Sequence, residues 1–453
     1  MEFLSTLFYF IITIGVLVFI HEFGHFAAAR LFGIRADVFA LGMGYRLFGY
    51  NRVNGFSFGT LPAEIQLGDH TDYRISVFPI GGYVKIAGMI DESMDTEFLN
   101  REPQPWEFRS KPIWQRMVVL SAGVIMNLVL AVAIFWGVIY NQGKTVYPIT
   151  EVGYVLSNSP ASKAGIVRGD KIVAVNDKPV SYWEEIESSI YAENLGSDIT
   201  LSVRRQDETI RIFVKASAIP DISEERFGIL PAGVVPVVGA VDKGKPAESI
   251  GLQARDTILA VNGESIAYAA LPEVIRRHAS QEITLTWKTG DTIREAKVTP
   301  TKEGKIGISL VPAYKGPMQH LDYSLLEAFP AGAKEVVRMS GFFLNNLWQL
   351  VAGKASFSKS VGGPVKIAQM ANQSAEGGLS SFLVFMALLS ISLAFLNILP
   401  FPALDGGHLL FVTYEGIFRR EIPAKVKIGI QQTGFFLLLA FMAVVLYNDI
   451  ANL

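Results

Sequence analysis

His21-Glu22-Phe23-Gly24-His25 has the form H-E-x-x-H and follows an uncharged apolar run from Phe3 to Ile20. On a helix, positions i and i+4 share a face. Two imidazoles at that spacing can grip one zinc ion, and the glutamate between them can act as base toward water at the metal. The competing reading is a chance pentapeptide, with a histidine pair at a membrane interface. Location favours the metal, because ionisable groups at or inside a membrane-crossing helix are costly and by default mark function.

Working outward, the whole chain has a membrane protein's composition. Half of its 453 residues are hydrophobic, and the formal net charge of −2 gives no footing for a nucleic-acid partner. There are no cysteines, so thiolate ligands and disulfides are excluded and any zinc must use His and carboxylate. The amino-terminal run lacks a basic leader and a small-x-small cleavage site, which reads as a retained span.

Four uncharged runs reach the roughly 20 residues that a bilayer requires. They are Phe3–Ile20, continuing as helix through Ala29, then Met117–Gly143, Gly377–Leu404 and Ile428–Asn448. Basic residues set the orientation. Arg30, Arg35, Arg46, Arg109, Lys111 and Arg116 lie between the first two runs, and Arg419, Arg420, Lys425 and Lys427 between the last two. Both termini and the long middle region are therefore expected outside, which is the periplasm in a Gram-negative bacterium, and the basic loops inside.

Between the first two spans, Leu41-Gly-Met-Gly-Tyr45 is a glycine-punctuated loop containing Gly42 and Gly44. Tyr73–Ala87 holds two β-type runs around Pro79-Ile-Gly81-Gly82, which reads as a hairpin continuing at Tyr83. These are ordinary connections, or a sheet edge able to pair with an extended peptide.

The middle region repeats itself. Ser159–Asp177 matches Lys245–Gly263 at a constant offset of 86 residues. Each copy has a short helix ended by glycine (Gly165, Gly251), a turn aspartate (Asp170, Asp256) and a strand closing at asparagine (Asn176, Asn262). This resembles the signature of PDZ domains, which implies two small α+β, partly open β-barrel modules. PDZ domains receive peptide C-termini by adding a strand. Arg226-Phe-Gly-Ile-Leu230 lies ahead of the second copy, where it is the candidate carboxylate-binding loop. The modules serve either as peptide receptors or as steric spacers. Beyond them, Leu325–Ala352 reads as a helix lying on the membrane surface or packed on the core, and Ser360–Val365 breaks the chain before the third span.

A two-histidine zinc site needs a third protein ligand. The other charged island in an apolar setting is Asn397-Ile-Leu-Pro-Phe-Pro-Ala-Leu-Asp405-Gly-Gly-His408. Spans 1 and 3 cross in the same direction, so His21 and Asp405 can lie at matching depth, both near inner span ends. Pro400 and Pro402 disrupt the helix there. Asp405 is thus the natural third ligand, or else a turn acid ending a helix. Asn127 lies within span 2, where a buried amide must bond another helix or meet substrate. Asn397 poses the same choice, and His408 reads either as a group supporting the metal ligands or, preferably, as a satisfied interface histidine.

Together, H-E-F-G-H, N-x-x-P-x-P-x-L-D-G-G and the tandem PDZ signatures resemble the site-2 protease family of intramembrane zinc metalloproteases, in its bacterial RseP-type branch. The resemblance covers essentially the whole chain. It implies that His21, His25 and Asp405 ligate Zn2+, that Glu22 is the catalytic base, and that Asn127, Asn397, Gly42, Gly44, Gly81, Gly82 and Tyr83 help hold substrate. It also implies a bacterial inner-membrane enzyme with its active site near the cytoplasmic side. Its substrates would be single-pass membrane proteins, such as anti-sigma factors or signal-peptide remnants. Membrane lipid would surround it, and peptide C-termini would be candidate ligands of the second PDZ copy. Val124 stands where the family's span-2 pattern has proline, which bears on the helix around Asn127.

The expected fold is an α-helical polytopic membrane protein with four transmembrane helices, a membrane-associated β-hairpin and two inserted PDZ domains. Residues 1–143 carry TM1 (3–29), the loop and hairpin (41–89) and TM2 (117–142). The PDZ copies occupy 144–219 and 220–315, and an amphipathic helix and loop occupy 316–376. Residues 377–453 carry TM3 (378–402) and TM4 (428–448). The contrasting reading is a membrane-anchored PDZ scaffold without proteolysis, which an intact Glu22 beside both histidines disfavours. An ion transporter would place charges in several spans, and spans 2 and 4 have none.

Overall fold

The computed structural model describes residues 2–62, 65, 67–89, 101–190, 197–215, 227–353 and 362–451. The chain divides into two compact units, Met1–Gln142 with Tyr323–Leu453, and Gly143–Asp322.

The first unit holds helices α1 (Glu2–Leu31), α2 (Ile113–Gln142), α3 (Leu325–Val351), α4 (Pro364–Glu376), α5 (Leu379–Ile398), α6 (Asp405–Phe418) and α7 (Ala424–Ala451). Among the described residues, four are long and apolar enough to cross a membrane: Phe3–Leu31, Ile113–Gln142, Leu379–Ile398 and Ala424–Ala451. These match the four expected spans with shifted ends, and the fourth begins earlier, at Ala424, taking in Lys425 and Lys427. The second begins earlier and takes in Arg116. The third stops at Ile398, because Pro400 offers no amide to continue it. Asp405 therefore does not close that helix but opens the next one. Neither α4 nor α6 was anticipated.

α3 packs on the membrane helices. Gly332 lets it approach the Phe135–Trp136 backbone of α2, and Val336 is buried with Ala131, Phe135, Ala387 and Ile391. Its start is fixed by a capping box between Ser324 and Glu327. Ser360 and Val361 of the expected chain break lie outside the described residues.

The expected hairpin is instead part of a three-stranded sheet, ordered β2-β1-β3, of β1 (Ala36–Asn51), β2 (Gly55–Phe58) and β3 (Asp72–Ile86). Phe39, Ala40 and Leu41 pair with Val84, Tyr83 and Gly82 on one side and with Tyr73, Arg74 and Ile75 on the other. Thus β3 folds around β1 rather than onto itself. Gly42 and Gly44, both at positive φ, turn β1 so that Arg46–Tyr50 meets Ser76–Tyr73. A side chain at Gly42 would run into the Phe78 carbonyl, 2.5 Å from its Cβ. Inside the sheet the Arg46–Asp72 ion pair is buried, at 3.1 Å.

The second unit contains two similar sheet modules. One core gathers Ile172, Trp183, Ile186, Ile199, Leu201 and Phe227; the other gathers Ile258, Leu271, Ile275, Ile283, Leu285 and Trp287. Phe227 and the strand Ile229–Pro231 thus belong to the first module, not to the second copy that they precede in sequence. The Ala161 amide donates to the Phe227 carbonyl at 2.9 Å, and the Leu156 amide to that of Gly228 at 2.8 Å. The second module makes the same pair of bonds from Ala247 to Ile306 (2.8 Å) and from Asp242 to Gly307 (2.9 Å). In each module this segment follows its own repeat. Arg226 lies outside the described residues.

Candidate metal centre

The His21, His25 and Asp405 donor atoms all lie within 4.8 Å of one another. His21 Nε2 is 3.1 Å and His25 Nε2 is 3.3 Å from Asp405 Oδ2, and the two Nε2 atoms are 3.3 Å apart. Ligands at the ~2 Å bond lengths of zinc span tetrahedron edges of about 3.3 Å, so the triangle has the right size.

Local sequence explains the convergence. His21 and His25 stand one turn apart on α1. Gly24 lets α1 press against the Ala122 carbonyl of α2, and Gly123 leaves space that a methyl group would take from both imidazoles. Gly406 and Gly407 seat the first turn of α6 against the carbonyls of Ile398, Leu399 and Phe401, which brings Asp405 back to the end of α5.

The electrostatics also call for a cation. Nδ1 of His25 lies 2.8 Å from the Val119 carbonyl oxygen. A carbonyl only accepts, so Nδ1 carries the proton and Nε2 presents a lone pair toward Asp405. Asp405 Oδ2 is buried and has no hydrogen-bond donor among the described residues. A carboxylate oxygen facing the His25 lone pair, with the His21 ring 3.1 Å away, is repulsive unless a proton or a metal ion sits between them. The residues present therefore fit zinc.

Glu22 is hydrogen-bonded to the Val84 backbone of the sheet. A Cβ on Gly82 would stand 3.2 Å from Glu22 Cγ and 2.7 Å from Val18 Cγ1, so the Gly82–Val84 edge lies directly on the H-E-x-x-H helix. Tyr83 pairs with Ala40 and lies under the Arg74 guanidinium. Gly42, Gly44 and Gly81 cluster farther along, around Phe78 and Met43.

Asn127 and Asn397 both aim their amides at His21. Asn127 Nδ2 is 3.3 Å from Nδ1, and Asn397 Nδ2 is 3.3 Å from Nε2. Asn127 is fully buried, and Ser390 donates to its main-chain oxygen at 2.7 Å. Val124 sits in an unbroken, buried turn of α2.

Sequence reasoning missed Gly123 and the Val119 carbonyl. Gly123 carries a usable signal, one turn before Asn127, while a main-chain acceptor leaves none. It also missed that His408 meets Gln431, at 2.9 Å between their Nε2 atoms.

The sequence profile of Peptidase family M50 matches residues 9–441. A protein of Neisseria meningitidis whose name classes it with zinc metalloproteases is 33% identical, over 99% of this chain and 100% of its own. The Regulator of sigma E protease of Haemophilus influenzae is 32% identical over the full length of both chains, and that of Salmonella typhi is 29% identical over 98% of each.

Proposed function

The chain belongs to Peptidase family M50, and from that membership we propose that His21, His25 and Asp405 are its zinc ligands and Glu22 its general base. The protein is a zinc metalloendopeptidase of the site-2 type, acting within the membrane.

Zinc bound there supplies Lewis acidity toward water and a peptide carbonyl. Glu22 takes a proton from the attacking water and returns it to the leaving amine. The Gly82–Val84 edge lies against the Glu22 helix, so an extended peptide added to that edge brings its carbonyl to the centre. Gly42, Gly44, Gly81 and Tyr83 shape that strand-receiving sheet. Asn127 and Asn397, each beside His21, hold the imidazole and meet the substrate backbone.

Substrates in this reading are single-pass membrane proteins, including anti-sigma factors and signal-peptide remnants. The relatives named for sigma E regulation support the first class. In this reading the metal centre lies toward the inner side of a bacterial inner membrane and both termini and the second unit lie outside, an orientation that the basic loops support. The two modules of that unit read as PDZ domains that either receive peptide C-termini, the second module being the candidate, or exclude bulky substrates.

The observation that carries the assignment is the triangle of donor atoms with Glu22 on the same helix. The test is metal analysis of the purified protein together with cleavage of a single-span substrate in detergent. About one zinc per chain is expected, with activity lost on chelation and in Glu22→Gln. Cleavage by metal-free protein or by Glu22→Gln at the wild-type rate would refute it.

A further inference from the structure

Beside the metal centre, three helices meet in layers that the chemistry above does not use. On α6, Asp405, His408, Val412 and Glu415 recur at i, i+3, i+7 and i+10, one stripe of the helix. On α2, Arg116, Val119, Gly123 and Asn127 form a matching stripe, and its upper members are the groups that touch His25 and His21. At the foot of both stripes Arg116 Nη2 donates to Glu415 Oε2 at 2.7 Å, with both residues buried. The other Glu415 oxygen accepts from Lys427 of α7. One turn further along α7, Gln431 meets His408.

Glu415 lies roughly 15 Å along α6 from Asp405, at 1.5 Å rise per residue. It touches neither the metal site nor the substrate edge. Beside these layers is a partly open pocket of about 180 Å³, lined by Arg116, His408, Val412, Glu415, Lys427 and Gln431 among others. That is room for several waters at ~30 Å³ each. Val412 does pack with Val119 and Leu120 of α2, but apolar contact is non-directional and does not by itself fix how far one helix stands along another. A buried ion pair does, because a slip of one turn would leave both charges buried and unpaired.

We propose that the Arg116–Glu415–Lys427 cluster is a register lock. It holds α6 at one height against α2, places Asp405 opposite His21 and His25, and so sets how tightly the centre binds zinc. These three are positioning residues, and the proposal rests on the ligand assignment above.

The test measures zinc affinity of the full-length protein in detergent by competition with a chromophoric chelator, with thermal melting as a check on folding. Glu415→Gln and Arg116→Gln are expected to weaken zinc binding about tenfold or more, in line with loss of outer partners at metal sites. Arg116→Lys, which keeps the charge, is expected to retain most of the affinity. Cleavage lost by Glu415→Gln at low free zinc should return when zinc is raised. A folded Glu415→Gln with wild-type affinity overturns the lock, as does an activity loss that added zinc does not restore. If Glu415→Gln does not fold, Lys427→Gln carries the test: a several-fold weaker affinity supports the lock and an unchanged one overturns it. Wild-type protein that binds no zinc would instead remove the ligand assignment, which separates the two failures.

Discussion

Nδ1 of His25 lies 2.8 Å from the main-chain oxygen of Val119, so a backbone group of α2 sets the tautomer of a side chain on α1. This geometry depends on how closely the two helices approach. One turn above Val119, a Cβ on Gly123 would fall on His25 Nε2 and within 2.7 Å of His21 Cε1. Gly123→Ala should therefore displace both imidazoles while leaving the hydrophobic faces of α1 and α2 intact. The expected outcome is protein that inserts and melts normally but has lost most of its zinc and its cleavage activity. Metal content per chain checks this, and full zinc occupancy in the variant would show that the helices have room to spare.

Gly82 offers a test of the sheet edge that leaves the metal alone. The three atoms that its Cβ would meet first are Val18 Cγ1, the Ala40 carbonyl oxygen and Glu22 Cγ, none of them on a proposed ligand. Gly82→Ala should push the edge away from Glu22 and misplace an added substrate strand. Displacements of about 1 Å at a reacting centre can cost roughly 100-fold in rate. A fall of that order in kcat/KM is expected with zinc content unchanged. Loss of zinc in step with activity would contradict this division of labour.

Glu107, just ahead of α2, gives the acid limb of stability a specific contributor. Its carboxylate is fully buried and accepts from Arg109 Nε at 2.7 Å, Arg101 Nη2 at 3.1 Å and the Gln104 amide at 3.3 Å. Burial alone would raise its pKa, but the Arg109 and Gln104 bonds and the two guanidinium charges outweigh burial and hold it below the ordinary 4.5. A carboxyl whose pKa is lowered by folding stabilises the protein above its unfolded value, and that contribution is lost as pH falls through the folded value. Wild-type protein should lose stability below about pH 4.5 more steeply than Glu107→Gln. Parallel acid limbs in detergent melts of the two would show that Glu107 is not a contributor.

Much of this was legible in the sequence because it is written in period and composition. The four spans follow from apolar length, and the pairing of His21 and His25 follows from a helical i,i+4 spacing. Asp405 was found as the charged group left in an apolar setting at the right end of a parallel span. What escaped depends on contacts that no local pattern encodes. The path of β3 around β1 is set by positive-φ turns at Gly42 and Gly44, which single-strand periodicity does not show. Asp405 looked like the end of one helix, although the Pro400–Pro402 break makes it the start of another. Arg116 and Glu415 are 299 positions apart, and a partner at that distance has no local signature.

The segment at Phe227 precedes the second repeat in sequence but packs in the first module, and Phe227 tests that assignment. The motif Phe227-Gly-Ile229 stands just before the second copy, yet Phe227 is fully buried in the first module, in the same core as Trp183, Ile186 and Ile199. Phe227→Ala should remove about 3–5 kcal/mol from that module, as large-to-small changes in a core do. The second module has its own equivalent at Ile306 and should be untouched. Hydrogen exchange on the full-length protein reads both at once. Strand Ile199–Arg205 should lose protection while Ile283–Thr289 keeps it. Loss of protection confined to Ile283–Thr289 would return the loop to the second copy.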